Sequence, residues 1–214
     1  MDEEISIIDS KTRNEKIKNF FIENKRIIIS IITILVVAII SFYSFQAHKD
    51  AKRESLSDKF NTAVIEFDTN NKSETVLSLS EIVEYKDSTY SPLALYFIID
   101  NNLIESKTEI NRLFDILINK TNLEKEIRYL IIYKKALYNA DTINENELLD
   151  IIKPVLNSES VWKSHALYLV AEYFYSKNEK QKSKDFFSKI ISTENVNEDI
   201  LKEAQKRLNR DLSE

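Results

Sequence analysis

The chain has no cysteine and no glycine. Without cysteine there is no disulfide, no thiol nucleophile, no Cys-ligated zinc and no lipid anchor on an N-terminal Cys. The redox compartment stays open, since a cysteine-free domain folds in either. The missing glycine excludes more. A Walker loop, a dinucleotide fingerprint, a nucleophile elbow and an EF-hand turn all need glycine where the backbone turns sharply or nears a ligand. None can be present in standard form. Proline is scarce, at Pro92 and Pro154, and so is histidine, at His48 and His165. The two histidines are far apart in sequence, so no metal-ligand spacing arises and no metal or cofactor is expected. Acidic pairs such as Asp68 with Glu74 and Glu145 with Glu147 read as solvated caps rather than a catalytic carboxylate pair, which needs one member in an apolar pocket. The formal charge is −5, and the six basic and six acidic residues before Gln46 cancel, so the excess falls on residues 46–214. With no basic stripe, nucleic acid is not an expected partner.

What the chain does have is one long apolar run, "RIIISIITILVVAIISFYSF", from Arg26 to Phe45. From Ile27 to Phe45, 19 consecutive residues carry no charge, interrupted only by Ser30, Thr33, Ser41 and Ser44. Crossing ~30 Å of hydrocarbon takes roughly 20 helical residues. A signal peptide has a shorter apolar core and a small-residue cleavage site, and "SFQAHKD" offers no good one. Lys25 and Arg26 precede the run, Lys49, Lys52 and Arg53 follow it, and Phe42, Tyr43 and Phe45 gather at its exit, as interfacial aromatics do. The reading is an uncleaved membrane span over 27–45, preceded by a basic amphipathic tail over 1–26 and followed by one domain over 46–214. No later run approaches spanning length, so a single-pass chain is expected.

Beyond Gln46 apolar residues recur at 3- and 4-residue steps, the period of amphipathic helices. One face holds Leu56, Phe60, Ala63, Val64 and Phe67; later faces hold Val76, Leu77, Leu79, Ile82 and Val83, then Ile110, Leu113, Phe114 and Leu117, then Leu148, Leu149, Ile152, Val155 and Leu156. Polar breaks such as "DTNNKSE", "NKTN" and "NADTINENE" separate them. Helix starts are expected at Asn71 or Ser73, at Ser91 before Pro92, at Asn144 with Glu147 and at Ser158. About nine helices and no strands are predicted.

The helices pair at a regular distance. An apolar or small residue, another four later and a third three after that recur as Val76/Ser80/Val83, Ile110/Phe114/Leu117, Leu148/Ile152/Val155 and Ser183/Phe187/Ile190. Their first members lie 34, 38 and 35 residues apart. The tetratricopeptide (TPR) period is about 34. "ALYLVAEYFYSKNEKQKSKDFFSKII", from Ala166 to Ile191, looks most like such a unit, with Asn178 where the turn glycine usually stands. The small residue needed where two helices cross closely is present at Ala171 and Ala136 but not at Val64 or Ile98. The fold class expected is all-α, a single N-terminal transmembrane helix followed by a TPR-like solenoid of helical hairpins.

A tail, one anchor and a domain of this kind resemble the YfgM-like family of bacterial inner-membrane proteins, ancillary subunits of the Sec translocon. The resemblance begins before the anchor, in "NEKIKNFFIENKRIIIS", where a charged helix ends in paired aromatics, Phe20 and Phe21, before the turn "ENKR". Family anchors are usually richer in Gly and Ala, and the aromatic pair is usually Trp. The resemblance implies a non-enzymatic role in protein export, with translocon subunits, periplasmic chaperones or secreted clients as partners and no small-molecule substrate. A TPR scaffold for envelope assembly or cell division is the alternative. A third class is an enzyme or an organelle receptor facing the cytosol.

Two further expectations follow. Residues 11–26 hold six basic residues (Lys11, Arg13, Lys16, Lys18, Lys25, Arg26) against four in 46–61 (Lys49, Lys52, Arg53, Lys59). Basic residues stay on the cytoplasmic side, so the N-terminus is expected inside and the domain in the periplasm. By the family resemblance, the first helix of each hairpin lines a concave face. That places Tyr133, Leu137, His165, Tyr168, Glu172 and Tyr175 on a partner-binding groove. For Tyr168 and Tyr175 a second arrangement stands open, packing beneath the final helix "DILKEAQKRLNRDL" through Ile200, Leu201, Ala204 and Leu208.

Overall fold

The computed structural model describes residues 15, 18–68, 71–194 and 196–212. Much of the 1–26 tail, including Lys11, Arg13 and Lys16, lies outside the described residues, as do Thr69 and Asn70 of the first polar break. The described residues are helical, with no strand. The chain divides into two compact units between Ser55 and Leu56.

Most of helix α1, Lys25–Ile65 and 41 residues long, lies in the first unit, and its last turns from Leu56 belong to the second. The helix carries the apolar run and continues past it to the face of Leu56, Phe60 and Ala63, so span and first amphipathic face belong to one helix. Among the described residues it is the one helix long and apolar enough to cross a bilayer, and none of its apolar window is buried inside the protein. The hydroxyl of Thr33 donates to the Ile29 carbonyl at 2.8 Å. Bonding back to its own helix satisfies a polar group that hydrocarbon would leave unpaired.

The second unit holds α2 (Lys72–Glu84), α3 (Tyr90–Asp100), α4 (Lys107–Lys120), α5 (Lys125–Asn139), α6 (Glu145–Leu156), α7 (Lys163–Ser176), α8 (Lys180–Ile191) and α9 (Glu198–Arg210). Each packs against its chain neighbour, and α2 also meets α4, α5 meets α7, and α7 meets α9. The core is correspondingly divided. One cluster runs from Leu56 to Ile131, a second from Ile132 to Phe174, and a third joins Leu167, Ala171, Phe187, Ile190, Ala204 and Leu212. Ile118 touches the first two and Leu156 the last two.

Local chemistry sets the helix ends. Asn144 and Glu147 form the reciprocal capping box, with the Asn144 side chain accepting from Glu147 N–H and the Glu147 carboxylate accepting from Asn144 N–H. Ser106 and Asn197 cap α4 and α9 through their side-chain oxygens. Two expected caps are corrected. Ser91 lies in the first turn of α3, fully buried, and its hydroxyl donates to the Ile82 carbonyl at 2.6 Å, tying α3 to α2. Ser158 closes the preceding helix instead, donating to the Val155 carbonyl at 2.7 Å, while α7 begins only at Lys163. With no glycine available, Lys86, Asn102 and Asn178 take the left-handed turns, at φ of 62°, 49° and 62°. Asparagine tolerates this region; lysine does so at some cost.

The periodic sets behave as core. Ile110, Phe114, Leu117, Leu148, Ile152, Val155, Ser183, Phe187 and Ile190 are all buried. The first set departs from this: Val83 is buried, Val76 and Ser80 are only half-buried, and Leu77 of the same α2 face is 66% exposed.

Candidate interaction face

Helices α5 and α7 carry the six residues that the sequence places on a binding groove. Their apolar and aromatic positions form more than one stripe. Ile131, Ile132 and Ala136 of α5 are buried, while Ile127, Leu130, Lys134 and Leu137 recur three or four residues apart on another side. A helix apolar on two sides has a second surface to fill.

Tyr133 and His165 meet around Trp162. The Tyr133 ring stacks on the indole at 6.0 Å with 20° between planes, and His165 lies 5.2 Å from the indole and 5.9 Å from Tyr133. These rings are half-buried and the Tyr133 phenol is pushed above its ordinary pKa by burial. The Nδ1 atom of His165 is buried without a hydrogen-bond partner. Leu137 is half exposed.

Tyr168, Glu172 and Tyr175 meet the last helix. Tyr168 sets its ring edge-on to Phe187 at 5.5 Å. Arg207 of α9 donates to the Glu172 carboxylate at 2.6 Å and to Asp211 at 2.9 Å, and its guanidinium stands 4.9 Å from the Tyr175 ring centre. Ala204 is buried in the same cluster, with Ile200 and Leu208 packed against it and Leu201 half-buried. Of the two arrangements open for these tyrosines, the structure has the packing beneath the final helix. Burial first, and then the Glu172 charge, raise the Tyr168 phenol pKa. Arg210 and Arg207 hold the Asp211 carboxyl well below the usual carboxylate range. Sequence periodicity finds the apolar side of α9 but gives no sign of Arg207, the residue that joins it to Glu172 and Tyr175.

A second feature escaped the sequence reading. Between α3 and α5 lies an open cavity of about 450 Å³, lined by the apolar Pro92, Leu93, Ile127 and Leu130, by Tyr96, and by the polar Ser88, Thr89, Asn122 and Glu124. Leu93 is 42% and Ile127 37% exposed. The Tyr96 hydroxyl is buried without a hydrogen-bond partner, and burial raises its pKa. The Lys134 ammonium stands 4.4 Å from the Tyr96 ring centre. The signal was present in the apolar surplus of "EIRYLIIYKKALY", which exceeds what one core face uses.

The arrangement sets exposed apolar and half-buried aromatic side chains on packed helices. Comparisons with protein-family models, with curated proteins and with solved structures find no match for this chain.

Proposed function

We propose that this protein is a non-enzymatic, membrane-anchored interaction module. Residues 27–45 cross the bilayer once, with the N-terminus in the cytoplasm and the helical domain in the periplasm. The observation that carries the reading is the apolar window of α1, none of which is buried among the described residues. The second unit adds a half-exposed Tyr133–Trp162–His165 cluster and exposed Leu93, Ile127 and Leu137. Aromatic groups on rigid helices bury large area at low entropy cost, which suits them to partner anchoring. A TPR-like solenoid is supported by the packing of helices on chain neighbours and by the near-regular spacing of the buried sets.

The partners we assign follow from the YfgM-like resemblance. They are translocon subunits, periplasmic chaperones or secreted clients, and the role is assistance in protein export. A photo-reactive residue at Leu137 in intact cells tests this. Crosslinks to translocon channel subunits are expected. Crosslinks confined to envelope-assembly or division proteins would move the assignment to the scaffold alternative.

A further inference from the structure

Residues 46–55 carry α1 out of the apolar run, still within the first unit, and every side chain there is exposed. At 3.6 residues per turn, Phe42, Phe45, Lys49, Lys52 and Arg53 fall within about a third of the helix circumference. Glu54 falls on the opposite side. Asp50 lies off the edge of the face, where the Gln46 amide donates to its carboxylate at 3.2 Å. One face therefore carries apolar rings at the end of the run and cations directly after it. At ~1.5 Å per residue, Lys49 stands about 6 Å beyond Phe45 along the helix and Arg53 about 12 Å. The headgroup zone is roughly 5–7 Å deep on each side of the hydrocarbon. Helical side chains lean toward the helix N-terminus, which here is back toward the apolar run. Long Lys and Arg stems follow apolar surface and keep their charges at headgroup level. Lys49 thus lies at the depth of the phosphates, and Lys52 and Arg53 reach back to it.

We propose that this face of α1 binds the headgroups of anionic phospholipids, in preference to zwitterionic ones, in the leaflet where the span ends. The inference rests on the reading of residues 27–45 as a membrane span. A zwitterionic headgroup balances its phosphate with its own amine. A lipid of net negative charge does not, so it gains from several cations on one side of a helix. The Arg53 guanidinium offers a fork of donors to two phosphate oxygens, and each lysine offers a compact point charge. Because Glu54 and Asp50 lie off the face, the field over it stays positive. Each Lys or Arg near an anionic surface is worth a factor of about five in attraction.

The test places a photo-reactive residue at His48, exposed and beside this face, in the full chain. The chain is reconstituted in vesicles of equimolar phosphatidylglycerol and phosphatidylcholine with identical acyl chains, and lipid adducts are identified by mass. Phosphatidylglycerol adducts are expected to exceed phosphatidylcholine adducts by ~5-fold or more. The excess should shrink in high salt, which screens exposed charge. Combined Lys49→Gln, Lys52→Gln and Arg53→Gln should abolish it with the thermal melt unchanged. If the combined variant melts lower, the three single changes decide, each expected to weaken the excess. Lys25→Gln with Arg26→Gln, at the other end of the run, should leave it in place. Equal adducts from both lipids overturn the proposal, as does an excess that survives loss of the three cations or that disappears with Lys25 and Arg26 instead. Loss of the excess to millimolar inorganic phosphate would show a free-anion site and overturn the lipid assignment. Chains that float with pure phosphatidylcholine vesicles but show no excess remove the headgroup assignment alone. Chains that do not float with those vesicles remove the span, and this proposal with it.

Discussion

Ile34 and Ile82 are the same side chain in opposite situations. Ile34, in the apolar run of α1, is 66% exposed; Ile82, on α2, is fully buried by its neighbours. The first unit has apolar residues all round its helix, and among the described residues none of its apolar window is buried. The second has apolar residues on selected faces, each met by the next helix in the chain. Hydrophobicity alone therefore does not make a core. What matters is whether its periodicity leaves a polar side for water. A helix without such a side needs a second layer or a bilayer, and among the described residues none of the apolar window of α1 is buried.

The contrast breaks most clearly where the second unit is densest. Phe174 and Phe187 are almost fully buried at the junctions of the later helices. Phe174→Ala is expected to cost about 3–5 kcal/mol in a chemical or thermal unfolding curve. A loss under about 1 kcal/mol would mean that these helices are not a packed core. Within α2 the comparison narrows to two positions. Leu79, fully buried, should cost about 2–5 kcal/mol when changed to Ala. Leu77, two residues away and exposed, should cost less than about 0.5 kcal/mol.

On the membrane-anchor proposal, the same kind of change in the first unit acts on insertion instead of folding. Ile34→Arg places a charge mid-run and should cost about 2.5–3.5 kcal/mol in membrane partitioning. The melt of the helical unit should not move. A lowered melt with unchanged partitioning would reverse the assignment of the two regions.

Alkali separates them again. Burial raises the phenol pKa of Tyr96, Tyr133 and Tyr168, all in the second unit. A raised folded pKa means that the folded state holds the proton more tightly than the unfolded chain. The stability is then full below the ordinary tyrosine value of about 10 and is lost as pH rises above it. Melting temperature is expected to fall above pH ~10 together with the appearance of phenolate absorbance. Phenolate forming at the ordinary pH with no loss of stability would show these rings to be freely solvated.

The smallest effect comes from the turns. Lys86 holds a left-handed conformation that glycine adopts at no steric cost. Lys86→Gly should stabilise the second unit by about 0.5–1 kcal/mol, less the entropy glycine loses on folding. Asn178→Gly should change less, since asparagine already tolerates this geometry.

Much of this was legible in the residues. The apolar run reads directly from its length, and the α4, α6 and α8 faces from their 4-then-3 spacing, because periodicity alone decides which side of a helix is buried. The capping box at Asn144 and Glu147 reads directly too, since both partners lie within one turn. Ser91 and Ser158 were misassigned because a serine beside a helix end can cap forward or bond backward, and only the neighbouring carbonyl decides. Asn111 and Asn139, whose side-chain amides exchange hydrogen bonds at 2.9 and 2.8 Å between α4 and α5, left no signal in sequence. Their 28-residue separation has no local pattern. Arg207 is the same case. Its bond to Glu172 and its place over Tyr175 depend on how α9 lies against α7, which α9's own apolar stripe does not specify.

The central claim is that the two regions depend on different surroundings, the first on a bilayer and the second on its own helices. Deleting residues 1–45 tests it most directly. The account predicts a soluble, helical product that melts in one cooperative transition, with the Phe174→Ala loss preserved. A shortened chain that aggregates or melts without cooperativity would contradict it, because the helical unit would then need the membrane or a partner to hold its core.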